Sequence, residues 1–217
     1  MQWSYGITTC RDRINRGITS KTRAELSKAG FTDPKLFVDK NYGVAGNWIL
    51  GLWKLYLLKP MADRFVIFQD DIVCCRNIRQ YLEFVPFPER GYWNLYTSRS
   101  NSAVQLVPGF QRASQLGKGA LGLVFNRDGV RTLLSSQKIV DKPLEAKRPT
   151  TSIDGSICLA LKDKGFSEYI HNPSLIQHGD YDSTIGNARE GRNSELFCGE
   201  EFDARDLKEL LLVKGAI

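Results

Sequence analysis

The sequence predicts an α/β domain built on a mostly parallel central sheet flanked by helices, and three observations carry that prediction. Short apolar runs alternate with longer segments of helical spacing. Phe65-Val66-Ile67-Phe68 is apolar without alternation, as a strand buried on both faces requires. The strand candidates end on polar or acidic residues, Thr8-Thr9, Asp39 and Asp70-Asp71. In such sheets the crevice outside the strands' carboxyl ends is where ligands sit.

Taken in order, Trp3 to Thr9 mixes aromatic, polar and β-branched residues and reads as the first strand. A helix over 19–29 follows, with Gly30 placed to end it in a left-handed cap. Leu36-Phe37-Val38 is a second strand closing on Asp39. From Asn47 to Leu58 the residues Ile49, Leu52, Trp53 and Tyr56 fall at i, i+3, i+4 and i+7, which predicts a helix with these four on its buried face and Pro60 as its stop. After the strand at 65–68 come a basic helix over 77–84 and a strand over 91–97. The stretch 98–119 has little periodicity and reads as a long loop, 121–125 as a strand and 129–134 as a helix. The Lys- and Pro-bearing stretch 140–151 is expected to be mobile. A helix over 153–164 stops at Gly165, and Tyr169 to His178 is the last apolar stretch. Beyond a polar tail over 186–198, residues 206–213 suit a final helix. The expected division is one catalytic domain over 1–187 and a C-terminal tail over 188–217.

A chain of 217 residues suffices for one core that buries roughly 70% of its unfolded surface, not for two. With 42% hydrophobic residues and eleven Phe, eight Tyr and four Trp, the composition excludes a disordered or fibrous chain. No stretch reaches the ~18 apolar residues of a spanning helix, and the first residues lack a signal-peptide core. The expectation is therefore a cytoplasmic protein with no membrane partner. Five cysteines, without paired CxxC motifs, read as reduced thiols and not as a zinc site. A net charge of +6 favours a polyanionic partner, yet the basic residues are spread widely, and each taken singly reads as solvated surface.

The junction Phe68-Gln69-Asp70-Asp71 is the most informative in the chain. Adjacent carboxylates at the end of a buried strand repel each other and lose hydration unless a cation or a hydrogen-bonded ligand offsets them. A divalent ion, Mg²⁺ or Mn²⁺, is the simplest such cation, completing its shell with water and substrate phosphates. The alternative for Asp71 is a helix N-cap or a plain turn. His178 is a second candidate ligand by position, just past an apolar strand, whereas His171, before Asn172-Pro173, reads as a turn residue. Asp154 falls in the first turn of its helix, where the dipole alone accounts for an acid, but it also suits a general base. Gly117 to Gly122 matches GxGxxG, but the glycines precede a strand, so the dinucleotide reading is rejected. The loop still offers unobstructed backbone N–H groups to a ligand.

With these pieces in chain order, the sequence resembles the GT-A-fold glycosyltransferases from about Trp3 to Asn187. Gln69-Asp70-Asp71 matches the family's DXD-like acid motif, Gly117 to Gly122 its glycine loop, Ile153-Asp154 its xED-type acid, and His178 its late metal-binding histidine. The chain departs from the pattern in Gln69 for the first acid and Ile153 for the Glu before Asp154. The resemblance implies a GT-A-like, Rossmann-related fold and a UDP-sugar donor. It puts Thr8, Thr9, Arg11, Asp39, Gln69, Asp70 and Gly119 at the donor, and Asp71 and His178 on Mn²⁺ or Mg²⁺. It makes Asp154 the base of an inverting transfer.

The sequence is also similar to the small phage and bacterial glycosyltransferases associated with TET/JBP dioxygenases. That similarity implies 5-hydroxymethylcytosine, or another hydroxymethylpyrimidine, in DNA as acceptor and UDP-glucose as donor. A duplex base would have to be flipped out, at a few kcal/mol. The arginines after the acid motif, Arg76 and Arg79, and the stretch holding Trp93, Tyr96, Arg99, Phe110 and Arg112 are candidate DNA contacts, the aromatics reading equally as core. The rival readings are a transferase acting on lipopolysaccharide or protein, a metal-dependent nuclease or phosphoesterase, and a non-catalytic nucleic-acid-binding module.

Overall fold

The computed structural model describes residues 1–98, 108–142, 153–182 and 193–208. The apolar run at 65–68 lies inside β3 (Arg64–Gln69), and its alternate side chains explain why every position is apolar. Phe65 and Ile67 enter one core cluster and Val66 and Phe68 the other, all at most 1% exposed. Full burial of each such side chain stabilises the fold by about 1.5–3 kcal/mol.

Around β3 stand β1 (Trp3–Thr9), β2 (Lys35–Val38), β5 (Gly91–Asn94), β6 (Gly109–Arg112), β7 (Gly122–Phe125) and β8 (Ser167–Asn172). The seven-stranded sheet has the order β2-β1-β3-β7-β5-β8-β6. Strands β1, β2, β3, β5 and β8 run one way, while β7 and β6 oppose them. The expected mostly parallel α/β architecture is thus the one observed. Helices α2 (Ile18–Lys28) and α4 (Ile78–Phe84) contribute to the core on one face. On the other face lie α3 (Gly43–Leu58), α5 (Arg127–Leu134), the short α6 (Gln137–Val140) and α7 (Ile153–Lys162). No helix of the described residues is long and apolar enough to cross a membrane.

Several sequence expectations need correction. The buried stripe of α3 runs through Ala45, Trp48, Ile49, Leu52 and Leu55, so Trp53 lies off it and is 40% exposed. The stretch read as loop over 98–119 contains β6, which closes the sheet edge against β8 and stacks Phe110 on Trp93 at 4.5 Å. The apolar stretch 169–178 divides into β8 and β9 (Ile176–His178), and β9 pairs antiparallel with an unforeseen short strand, β4 (Ile72–Cys74). His171 is no turn residue: it is fully buried in β8, where its Nε2 lies 2.7 Å from the Tyr81 hydroxyl. Helix α5 begins two residues early because Asn126 caps it, accepting from Gly129 N–H at 2.7 Å.

Residues 193–208 pack on the core through Ala204 and Leu207 and bridge Ser174 and Arg76 through Phe197 and Asp203. Most of the stretch expected to be mobile (143–151), Arg99, and residues 209–213 of the expected last helix lie outside the described residues.

Candidate active site

Three parallel strands deliver their last residues to one rim of the sheet. Register pairs Thr8 with Gln69 and Thr9 with Val38, so Asp39, Thr9 and Asp70 become neighbours. Asp39 N–H donates to Thr9 O at 2.8 Å, and the Thr9 hydroxyl donates to Asp70 Oδ2 at 2.5 Å. Asn47 of α3 ties the two strand ends together, donating to Phe37 O and Thr9 O at 2.9 and 3.3 Å. Thr22 of α2 donates to Asp70 O at 2.7 Å. Burial pushes the Asp70 carboxyl above its ordinary range against the Thr9 hydrogen bond, and the neighbouring Asp71 adds to the rise. Thr8 donates to Phe68 O at 3.2 Å and Gln69 N–H to Leu121 O at 3.0 Å, which locks the end of β3 between β1 and β7. Arg11 begins α1 (Arg11–Asn15) and is exposed.

The β4–β9 ribbon makes the second half of the site. Its register sets Ile72 opposite His178, and Gly179 N–H closes on Asp71 O at 2.6 Å. Residues far apart in the chain thereby meet: His178 Nδ1 stands 3.6 Å from Asp71 Oδ2. Arg13 was not foreseen here, since its sequence signal was one base among many. Its side chain is only 3% exposed, with Nη2 at 3.3 Å from the same Asp71 oxygen and 2.9 Å from Asp182 O. Its Nε and Nη1 are buried without a hydrogen-bond partner. Each such donor costs about 1–3 kcal/mol.

Tyr96 links this ribbon to Asp154. Its buried ring meets the His178 ring edge-on, with centroids 5.9 Å apart, and packs against Gly119 so closely that a Cβ there would come within 2.5 Å. Gly119, at φ +80°, turns its N–H onto Asp154 Oδ2 at 2.9 Å. Burial raises the Asp154 carboxyl above its ordinary range, and the Gly119 bond offsets part of the rise. Behind the loop Asn94 donates to Gly119 O at 2.9 Å, Lys118 O at 3.2 Å and Glu168 Oε1 at 3.0 Å. Burial likewise raises the Glu168 carboxyl.

The pair Asp71 and His178 suits a divalent cation. A carboxylate oxygen and an imidazole nitrogen are donor types such an ion accepts, and the two stand 3.6 Å apart. Among the described residues no three His, Cys, Asp or Glu side chains gather to hold a metal, so water and diphosphate oxygens would complete the shell. Of the predicted site residues, the structure brings Thr9, Asp39 and Asp70 together and joins Asp71 to His178, with Gly119 on Asp154 beyond Tyr96. Arg79 of α4 pairs with Glu83 at 3.1 Å, and Arg76, which precedes that helix, with Glu201 at 3.7 Å, both pairs remaining partly exposed.

No protein-family model matches the chain, and no curated protein matches it in sequence. Among solved structures, the STIV protein A197 aligns at 12% identity and a TM-score of 0.51, over 84% of this chain and 87% of that one. A glycosyltransferase involved in the glycosylation of the major capsid of PBCV-1 aligns at 8% identity and a TM-score of 0.48, over 82% and 94%. The catalytic domain of Drosophila β1,4-galactosyltransferase 7, in complex with xylobiose, aligns at 11% and 0.47, over 94% and 79%. At 12% identity the likeness to A197 is one of fold alone.

Proposed function

We propose that this chain is a nucleotide-sugar-dependent glycosyltransferase. The observation that carries the reading is the meeting of Asp71 and His178 beside the rim formed by Thr9, Asp39 and Asp70. Asp154, in the first turn of α7, accepts from the Gly119 N–H on the far side of Tyr96. Strand ends that gather hydroxyl and carboxylate groups suit the hydroxyls of a ribose, and take a diphosphate only through an intervening cation. Asp71 and His178 would hold Mn²⁺ or Mg²⁺, which when bound supplies positive charge to the departing diphosphate. Thr9, Asp39 and Asp70 orient the nucleoside of a UDP-sugar, the Gln69 backbone fixes the end of β3, and Thr8 and Arg11 flank the same rim. Asp154 takes the proton of the acceptor hydroxyl during in-line attack, which inverts the anomeric carbon. Its raised pKa brings the carboxylate nearer to the acceptor's proton affinity, while Gly119 N–H fixes one oxygen.

For the acceptor we retain 5-hydroxymethylcytosine or another hydroxymethylpyrimidine in DNA, with UDP-glucose as donor. Support comes from the resemblance to TET/JBP-associated transferases and the net charge of +6. A lipopolysaccharide or protein acceptor is the second reading, supported by a cleft of about 390 Å³ whose lining mixes Glu25, Asp180 and Glu200 with Lys21, Lys28 and Tyr181.

The test incubates the protein with Mn²⁺ or Mg²⁺, a panel of UDP-sugars, and hydroxymethylated DNA, ordinary DNA or lipopolysaccharide, then weighs the products. A one-hexose increment on hydroxymethylated nucleosides alone is expected. Transfer only to lipopolysaccharide selects the second reading. Nicking of plain DNA by metal without any sugar transfer would mean a nuclease, and DNA binding that survives Asp71→Asn with no turnover would mean a binding module.

A further inference from the structure

Two cationic or polar nitrogens converge on one acid oxygen: Arg13 Nη2 at 3.3 Å and His178 Nδ1 at 3.6 Å from Asp71 Oδ2. A guanidinium keeps its charge at any pH a protein survives, so this oxygen has a permanent counterion from within the chain. The same guanidinium has two buried donors, Nε and Nη1, that bond nothing, a condition few buried polar groups retain. We propose that Arg13 is an exchangeable counterion. It holds Asp71 before the donor binds and releases that oxygen when a divalent cation arrives with a diphosphate, whose oxygens then become its partners. The inference rests on the glycosyltransferase reading and adds to it a coupling between metal and nucleotide.

The physical argument is one of charge. A dication sharing Asp71 Oδ2 with a resident guanidinium meets like charge a few ångströms away in a buried site, so the ion alone binds weakly. A diphosphate reverses the balance, because it offers the planar guanidinium the bidentate anionic acceptor that its geometry matches. Metal and nucleotide therefore strengthen one another, and by linkage each raises the other's affinity by the same factor. Arg13 also donates to Asp182 O at 2.9 Å.

The experiment titrates Mn²⁺ into the full chain, reading the free ion by electron paramagnetic resonance with and without UDP. After subtraction of a blank holding Mn²⁺ and UDP without protein, UDP is expected to tighten Mn²⁺ binding to the unaltered protein by about tenfold or more. Arg13→Met is expected to bind Mn²⁺ alone about tenfold more tightly than the unaltered protein, with a smaller gain from UDP. Arg13→Lys, which keeps the charge, is expected to behave as the unaltered protein does. Equal Mn²⁺ affinity in Arg13→Met and the unaltered protein overturns the inference, as does Arg13→Lys behaving like Arg13→Met. Should Arg13→Met fail to fold, Arg13→Gln takes its place, and Mn²⁺ affinity in that variant equal to that of the unaltered protein overturns the inference. If the unaltered protein binds neither Mn²⁺ nor UDP, the glycosyltransferase reading fails and the inference falls with it.

Discussion

Gly117 and Gly165 share a left-handed backbone, at φ +62° and +79°, but not their surroundings. A Cβ at Gly165 would meet nothing within 4 Å, whereas one at Gly117 would overlap the Asp154 carbonyl oxygen and come within 2.7 Å of Cys158 Cβ. Alanine in the left-handed region costs roughly 1–2 kcal/mol at either position. Overpacking adds about 1–3 kcal/mol at Gly117 alone, because the obstacle is backbone in the first turn of α7 and cannot rotate aside. For a chain of this length 1 kcal/mol shifts Tm by about 2–4 °C. Gly165→Ala should then melt about 2–8 °C below the unaltered protein, and Gly117→Ala a further 2–12 °C or so lower. Scanning calorimetry on the two variants under one buffer measures the difference directly. Transfer should also fall in Gly117→Ala beyond what partial unfolding explains, since the displaced turn carries Asp154. Equal melting shifts in the two variants would refute the claim that the loop is wedged against α7.

Asp154→Asn should abolish transfer while sparing UDP-sugar binding, and undiminished turnover would remove Asp154 from the mechanism. The folded-state pKa of Asp154 is raised by burial, so the fold favours the protonated carboxyl, and that contribution is lost as pH rises through the folded pKa. Asp154→Asn should therefore melt above the unaltered protein at pH 8, because the amide carries no charge to bury. The gain should vanish below the ordinary Asp range, and a pH-independent difference would refute this account. Cys75 and Cys198 lie with their sulfurs 3.3 Å apart. Oxidised glutathione should convert the two thiols to an intramolecular disulfide, releasing two glutathione thiols and raising Tm. Peptide mapping that finds only mixed disulfides with glutathione would contradict that geometry.

Much of the sheet was readable because burial on two faces leaves a local mark. Phe65 to Phe68 had to be apolar throughout, and the polar residues after each strand marked the rim where Thr9, Asp39 and Asp70 now meet. His178 was readable only by its place after an apolar stretch. The β4–β9 ribbon was not, because three-residue strands fall below any period that a sequence can display. Trp53 was misplaced because a residue about 100° around a helix from its neighbour can still keep i+4 spacing with a buried one. Arg13 was invisible as a site residue. Its composition is that of a surface base, and only the folding of Asp71 and Asp182 around it gives it a role.

The reversed direction of β7 has a consequence for how this scaffold can change. In a wholly parallel sheet only departing chain reaches the working edge, and each departure leads straight into a helix that the core needs. Here two strands, β6 and β7, arrive at that edge, and β7 is preceded by the glycine turn that grips Asp154. Chain inserted upstream of that turn is anchored downstream by β7 and leaves the endings of β1, β2 and β3 untouched. The fold thus separates the rim built by the strand endings from a stretch of chain that can be rewritten without disturbing it.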